Sequence, residues 1–253
     1  MPADLPLLAT AFLILFARLG AVLMLLPVFS EEAAPGQVRL LLAVGLTLAL
    51  FGLLRPQVAP LAGQGDAILL GTVLAELLTG LALGMTIRIF FQAATMAGAL
   101  ISLQIGLTTA LVAEPISGQT PLLGKLMALA AALVCFATGL HQQWLAAIVH
   151  SYELFPVGHV PVPGDWLHLA VATTGQALAL AVSLAAPFLI YGIVFNVALG
   201  FGARLAPSLQ VFFMVQPLNL VLGFSLLVLT IGAILSLFAA RFAEWLGGGW
   251  TGV

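Results

Sequence analysis

Two acidic side chains in apolar surroundings, Glu76 and Glu114, are the residues of this sequence best suited to chemistry. A carboxylate at membrane depth is costly to bury, and its usual role there is ion coupling or proton relay. A relay along a helix needs a series of Asp, Glu and His side chains, and neither residue belongs to such a series. We therefore keep a coupling carboxylate, in a self-contained secondary transporter, as an alternative hypothesis. Such a transporter should also carry inverted repeats, which the sequence does not show.

The histidines and the single cysteine form a second set of candidates, namely His141, His150, His159, His168 and Cys135. Neighbouring histidines lie nine residues apart, a spacing that turns an ideal helix by about 900° and places neighbours on opposite faces. The cysteine lies in an apolar run, where it packs as a small hydrophobe. No nucleophile motif, phosphate-binding loop or dinucleotide fingerprint is present. We therefore expect no metal, no cofactor and no enzymatic activity.

Composition predicts a membrane protein. Of 253 residues, 62% are hydrophobic and only 6% are charged, whereas about a quarter of the residues in a soluble domain are charged. The mean hydropathy is +1.22. A formal net charge of -2 provides no basic face for nucleic acid. The expected surroundings are therefore membrane lipid and protein partners.

The candidate residues lie on or between about six long apolar segments. These segments predict helices that together form a single all-α domain. We predict helices at residues 5–26, 38–54, 67–103, 122–149, 167–205 and 217–245, with a loop at 55–66. The third and fifth exceed the ~20 residues that cross a bilayer. The third must therefore tilt, project beyond the bilayer or break near Gly98, and Pro187 should kink the fifth. The predicted organisation places N-terminal helices at 1–103, an irregular segment at 104–124, C-terminal helices at 125–245 and a flexible tail at 246–253.

Two of these helices carry small and polar residues at every fourth position, which forms one packing ridge of an α-helix. Small residues let a neighbouring helix approach closely, and ionisable groups on such a ridge should face protein. Glu76 and Arg88 lie roughly 18 Å apart along the axis and cannot pair with each other, so their partners must lie elsewhere. The packing residues that we assign are Glu76, Gly80, Gly84, Arg88 and Gln92 on the third helix, Gly192, Asn196, Gly200 and Arg204 on the fifth, and Pro217.

The segment at 104–124 is punctuated by glycines and prolines that prevent a helix from running through it. Neutral polar side chains alternate there with apolar ones that a solvated loop has no reason to carry. Irregular backbone at membrane depth is tolerated where it is buried in protein or lines a water-filled cavity. We therefore predict an ordered loop that marks a passage or a seal. The alternative is a long extramembrane connector.

Three stretches of the chain resemble the FliR/SctT family of export-gate proteins of flagellar and virulence type III secretion systems. They are ARLGAVLMLLPVFSEEAAPGQVRLLLAVGLTLAL, LQIGLTTALVAEPISGQTPLLGKL and LAPSLQVFFMVQPLNLVLG. The middle stretch is the most specific, and its matching pairs are Gln104 with Gly106, Glu114 with Pro115, and Pro121 with Gly124. Members often have aspartate where this chain has Glu114. They often have lysine where it has Asn219, which leaves an ionic contact at that position open.

The resemblance implies a structural and gating subunit that forms a channel for unfolded protein substrates with FliP-like and FliQ-like subunits. FlhB-like and FlhA-like export proteins are further expected partners, in the bacterial inner membrane at a flagellar basal body or a virulence injectisome. We take the flagellar system as the first hypothesis. Residues 104–121 would plug the closed channel, with Gly106 and Gly118 as hinges. The residues assigned to the plug are Gln104, Gly106, Thr108, Glu114, Pro115, Gly118, Pro121 and Gly124. A membrane chaperone or assembly scaffold remains a third hypothesis.

Overall fold

A computed structural model describes residues 4–26, 35–107, 111–114, 118–160, 162–205 and 211–248, and within these ranges the chain is built from seven helices. This confirms the predicted all-α fold. The helices are α1 (Asp4–Leu25), α2 (Gly36–Ala62), α3 (Asp66–Ile105), α4 (Leu122–Ala137), α5 (Leu140–Leu154), α6 (Pro163–Leu205) and α7 (Val211–Gly248). Two short strands, β1 (Leu111–Glu114) and β2 (Gly118–Pro121), lie in the segment that we predicted to be irregular.

Five of the described helices are long and apolar enough to cross a membrane, and α4 with α5 forms a sixth, broken candidate span. The predicted number of about six apolar helices is therefore confirmed. The two helices predicted to be over-long contain 40 residues in α3 and 43 in α6. At ~1.5 Å per residue each exceeds 55 Å, about twice the hydrocarbon thickness of a bilayer. α3 is continuous, so of the three alternatives given for this helix the break near Gly98 does not occur.

The second helix is longer than predicted, because α2 continues through Pro56 and Pro60 to Ala62. The prediction of a loop over residues 55–66 relied on the local rule that proline disrupts a helix interior. Tertiary burial outweighs that rule here, since Leu54 and Val58 are completely buried on one face of the helix. The end of α2 is also held by α1, whose Thr10 hydroxyl donates a hydrogen bond of 3.0 Å to the Ala62 carbonyl.

The predicted fourth helix is two helices, α4 and α5, separated at Thr138 and Gly139. The Thr138 hydroxyl and backbone N–H both donate to the Val134 carbonyl, at 2.7 and 2.9 Å, which closes the last turn of α4. Gly139 then adopts a φ of 75°, a left-handed conformation that ends many helices and favours glycine. A single glycine within an apolar run was too weak a sequence signal to predict this break.

The last helix differs from the prediction at both ends. It begins at Val211, six residues before the predicted start at Pro217, which lies inside it. It continues through Leu246 to Gly248, whereas we predicted a flexible tail from residue 246. The Leu246 side chain is only 5% exposed, and its burial favours continuation of the helix. The remaining tail residues, 249–253, lie outside the described part of the chain.

The chain divides into two compact units, and the division passes through α3 and α6. One unit comprises Met1–Phe90, His141–Thr174 and Leu246–Val253, and its core is α1, where Ile14, Leu15 and Val22 are all completely buried. The other comprises Phe91–Leu140 and Gly175–Trp245. Its core includes Phe91, whose ring meets that of Phe238 edge-on at 5.3 Å. That the chain acts as a single domain remains a prediction.

Candidate functional site

The central segment leaves α3 through a tightly defined helix end. α3 ends at Ile105, Gly106 has a φ of 83°, and the Leu107 N–H donates to the Ser102 carbonyl at 2.9 Å. A left-handed glycine followed by this hydrogen bond is the Schellman arrangement, in which orphan carbonyls of the last turn find donors. Gly106 is required here by its backbone conformation, because left-handed values of φ are unfavourable for residues with a Cβ.

The last turn of α3 is also held by polar side chains from α6 and α7. The Asn219 amide donates through Nδ2 to the Gln104 carbonyl at 3.3 Å. The Tyr191 hydroxyl donates to Asn219 Oδ1 at 2.7 Å. Asn219 is only 7% exposed, whereas Tyr191 and Gln104 are half-buried, so the Asn219 amide needs these hydrogen bonds most.

Three close contacts hold the end of α3 against α6 and α7. A Cβ added at Gly192 of α6 would overlap the Gln104 side chain, lying 2.7 Å from its Cδ. A Cβ at Gly223 of α7 would lie 2.6 Å from Ile105 Cβ. At Gly106 itself, an added Cβ would collide with the Gln216 amide nitrogen. The residues of α6 and α7 that surround the end of α3 are therefore Tyr191, Gly192, Gln216, Asn219 and Gly223.

Beyond α3, the described parts of the central segment form an antiparallel β-hairpin. Leu111 pairs with Pro121 and Glu114 with Gly118, which leaves residues 115–117 as the connection. Pairing of the two strands gives backbone N–H and C=O groups partners that apolar surroundings would not supply. This explains why the segment is more regular than glycine and proline content predicted. Of the residues assigned to the plug, Thr108 and Pro115 lie outside the described residues.

The central segment ends where α4 begins, and the start of α4 packs against α3. Pro121 ends β2 and precedes α4, and it has the extended conformation of an N-terminal flanking residue, with φ −55° and ψ 137°. A Cβ added at Gly98 of α3 would collide with the Leu123 carbonyl oxygen and lie 2.7 Å from Gly124 Cα. Gly98 therefore permits close crossing of two helices and does not break α3. Gly98 and Ile105 are seven residues apart, about 10 Å along the helix, so the hairpin leaves and returns at one end of α3.

A second polar centre, in the other unit, is a buried ion pair between Arg18 of α1 and Glu76 of α3. Arg18 Nε lies 2.7 Å from Glu76 Oε2, and Nη2 donates to Oε1 at 2.8 Å. Both side chains are completely buried. The pair is therefore joined by one charge-assisted hydrogen bond, from Nη2 to Oε1, and by a second close ion-pair contact between Nε and Oε2.

The same ion pair also holds the end of α5. Arg18 donates to the Ser151 carbonyl at 3.2 Å and to the Phe155 carbonyl at 2.9 Å, and its guanidinium carbon lies 4.1 Å from the centre of the Tyr152 ring. Glu76 accepts a hydrogen bond of 3.1 Å from the Gly158 N–H. Carbonyls at a helix C-terminus lack helical donors, so Arg18 acts as a C-terminal cap supplied by another helix.

The sequence analysis assigned Glu76 to a packing ridge and missed its partner. Arg18 sat inside the first apolar run, and only its presence as a charge at membrane depth could have identified it. The ridge residues beside Glu76 lie against α1 as well. A Cβ added at Gly80 would lie 2.5 Å from the Arg18 carbonyl oxygen, and one at Gly84 would lie 2.8 Å from Leu25 Cβ.

The other residues assigned to helix packing are not brought together. Arg88 is half-buried and makes no hydrogen bond or ion pair within the described ranges, while Gln92 is exposed. On α6, Asn196 donates to the Gly192 carbonyl of its own helix at 2.8 Å, and no atom lies within 4 Å of a Cβ added at Gly200. Arg204 is exposed in the last turn of α6, and Pro217 is exposed inside α7. No three His, Cys, Asp or Glu side chains cluster as a metal site among the residues that the structure describes.

Comparison with known proteins connects this architecture to protein export. Residues 9–245 match the family described as bacterial export proteins, family 1. The chain is 36% identical over 248 residues to the flagellar biosynthetic protein FliR of Caulobacter vibrioides, covering 94% of this chain and 97% of that protein. It is 30% identical over 229 residues to FliR of Escherichia coli, covering 90% and 86% of the two chains. It is also 31% identical over 223 residues to the Yop proteins translocation protein T of Yersinia pestis, covering 86% and 84%. The chain therefore belongs to the FliR/SctT family of bacterial export proteins and is a membrane-embedded component of a type III export apparatus.

Proposed function

We propose that this chain is a structural and gating subunit of a type III protein export gate, and that its central hairpin segment seals the channel at rest. The observation that carries the proposal is the hairpin. It is the only non-helical element among the described ranges, and it connects the end of α3 to the start of α4, which packs against α3 at Gly98. A short polar element held on a rigid helical body is suited to close a passage. Its displacement would open the passage without unfolding the helices.

Partner subunits are supported by the apolar surface of the helices. Only 17% of the most apolar stretch of α2 and 11% of that of α7 is buried within the chain. Apolar faces of this extent must be covered by lipid or by other helices. FliP-like and FliQ-like subunits are the proposed neighbours, with FlhB-like and FlhA-like proteins nearby, and unfolded proteins are the proposed substrates.

A flagellar apparatus in the bacterial inner membrane is the proposed setting. The similarity to FliR of Caulobacter vibrioides covers nearly the whole of both chains at 36% identity, against 31% for the Yersinia protein. FliR of Escherichia coli is 30% identical, so the preference for the flagellar system rests on the Caulobacter vibrioides match and not on a general difference between the two groups. Assembly in either apparatus would place the same hairpin at the same point of the channel.

The transporter alternative is weakened by the environment of Glu76. A coupling carboxylate must exchange its cation with an aqueous path, whereas Glu76 is completely buried and bound by Arg18 and the Gly158 N–H. Binding of a transported cation at Glu76 would require the carboxylate to leave these partners in every cycle. A structural role for Glu76 fits its contacts better.

The test is ion leakage across the membrane of cells that express the chain together with its FliP-like and FliQ-like partners. Deletion of residues 108–118 should raise leakage severalfold while co-purification of the partners stays normal. The same deletion expressed without the partners is the control and should not leak, because the channel needs all the subunits. A tight membrane around a normally assembled deletion complex would show that the segment is not the seal.

A further inference from the structure

Asn219 is a buried amide whose position gives it a more specific role than packing. It lies on α7 between the last turn of α3 and Tyr191 of α6. The Gln104 carbonyl can only accept a hydrogen bond, so the amide must present Nδ2 to it and Oδ1 to the Tyr191 hydroxyl. The Tyr191 hydroxyl then donates, at 2.7 Å to Oδ1. The three groups have one consistent arrangement of donors and acceptors.

The hydrogen bond from Asn219 reaches the point where the central segment departs. α3 ends at Ile105, so the carbonyl of Gln104 belongs to the last turn, where helical donors run out. Asn219 supplies a donor from a different helix. The Gln104 side chain packs on Gly192 at the same time, and Ile105 packs on Gly223. The end of α3 is thus fixed through both its backbone and its side chains.

We propose that Asn219, oriented by Tyr191, is a positioning residue of the gate, which holds in place the end of α3 from which the central segment departs. This inference rests on the proposed sealing function and makes it more specific. Gly106, assigned from the sequence as a hinge, becomes part of the fixed base. Its left-handed φ, the hydrogen bond from the Leu107 N–H and the contact with Gln216 all oppose rotation there.

The property that we expect to matter at position 219 is therefore hydrogen-bond donation by the side chain. Three substitutions distinguish the effect of donation from the effect of side-chain volume. Asn219→Asp keeps size and the acceptor for Tyr191 but loses the donor, and it places negative charge at a helix C-terminus, which is unfavourable. Asn219→Leu keeps approximate size and loses both hydrogen bonds. Asn219→Lys changes size and shape but restores a donor of the charge that a helix C-terminus favours.

The experiment measures ion leakage in cells that express the complete complex, with co-purification of the partner subunits as the measure of assembly. Asn219→Asp and Asn219→Leu should leak severalfold more than the wild-type complex, and Asn219→Lys should remain close to it. Tyr191→Phe removes one hydroxyl and retains the ring that packs on Phe195 at 5.6 Å. It should give a smaller increase, and it decides the question if the Asn219 variants fail to assemble.

The deletion of residues 108–118 separates the positioning role of Asn219 from the sealing function of the central segment. A leaking deletion beside tight Asn219→Asp, Asn219→Leu and Tyr191→Phe complexes would overturn the positioning role and leave the sealing function standing. Equal leakage from Asn219→Lys and Asn219→Leu would also overturn it, because volume and not hydrogen-bond donation would then decide the outcome. A tight deletion complex would instead remove the proposed function itself.

Discussion

Arg18 and Glu76 place two opposite charges in a site without solvent exposure. Moving charges out of water is expensive, and good geometry with further hydrogen bonds is needed to compensate. Here the two charges meet at two close contacts, and further hydrogen bonds join Arg18 to the Ser151 and Phe155 carbonyls and Glu76 to the Gly158 N–H. The result is a fixed junction of α1, α3 and the end of α5 within one unit.

We predict that removing one member of this pair is far more harmful than removing both. Arg18→Met leaves an unpaired buried carboxylate and should lower the free energy of unfolding by about 3–5 kcal/mol, whereas a combined Arg18→Met and Glu76→Leu variant should regain much of that loss. Thermal unfolding of the detergent-solubilised complex gives the measurement. Additive losses in the double variant would contradict the interpretation.

An exposed ion pair on α7 supplies the control for this prediction. Arg241 Nη1 lies 2.9 Å from Glu244 Oε2, and the two side chains are 58% and 66% exposed. Solvent-exposed pairs contribute about 0–1 kcal/mol. Arg241→Met should therefore leave the unfolding temperature almost unchanged. A loss equal to that of Arg18→Met would show that removal of any arginine destabilises the chain.

At the scale of whole helices, glycines decide which helices approach closely and where one helix ends. Gly80 and Gly84 lie against α1, Gly98 against the start of α4, and Gly139 ends α4 with a left-handed φ. The i, i+4 spacing of small residues on α3 was visible in the sequence. The partner helix was not, because spacing describes one surface and not what it meets.

Two glycines on α3 should respond oppositely to the same substitution. Gly80→Ala brings a Cβ within 2.5 Å of the Arg18 carbonyl oxygen, so it should push α1 away and destabilise the fold. No atom lies within 4 Å of a Cβ at Gly71, where alanine should stabilise the helix by roughly 0.5–1 kcal/mol. Unfolding temperatures of the two variants test this. Equal effects would show that helix propensity, and not contact with α1, governs both positions.

At Gly139 the requirement is one of backbone conformation and not of space. No atom lies within 4 Å of an added Cβ, yet φ is 75°. Gly139→Ala should therefore cost about 1–2 kcal/mol, and Gly139→Asn should cost less because asparagine tolerates left-handed values better. The free energy of unfolding of both variants is the measurement. An alanine variant as stable as the wild type would mean that the junction of α4 and α5 adopts a different backbone.

The fold class and the number of helices could be predicted because the apolar composition and the long apolar runs are both visible in the sequence. Prediction failed where contacts between distant residues overrule local rules. Proline content predicted a loop after Leu54, but burial of Val58 and neighbouring residues retains the helix. The central segment was located from its glycines and prolines, whereas its strand pairing and the contact of Asn219 with α3 depend on folding of the whole chain.

For the whole molecule, the dominant feature is the apolar surface left uncovered on α2 and α7. Val228 and Leu229 of α7 are 75% and 81% exposed. We predict that Leu229→Arg sharply reduces co-purification of the FliP-like and FliQ-like subunits, because a central arginine in apolar surroundings costs about 2.5–3.5 kcal/mol. That corresponds to roughly a hundredfold loss of binding. Quantitative co-purification from membranes is the measurement.

The control for this prediction is Leu205→Arg, at the end of α6, where the side chain is 86% exposed. An arginine at a helix terminus can extend its charge towards polar surroundings, so partner binding should be retained. Retained binding in both variants would mean that lipid and not a partner subunit covers this face of α7.

The attachment of the hairpin at both ends sets a limit on its reach. Ile116 lies six positions before Leu122, the first residue of α4, and a fully extended chain of that length spans at most about 20 Å. Chain length therefore keeps Ile116 within that distance of the start of α4. If the segment seals the gate as proposed, the passage lies beside the C-terminal end of α3, and an exported chain would have to pass within the same small sphere.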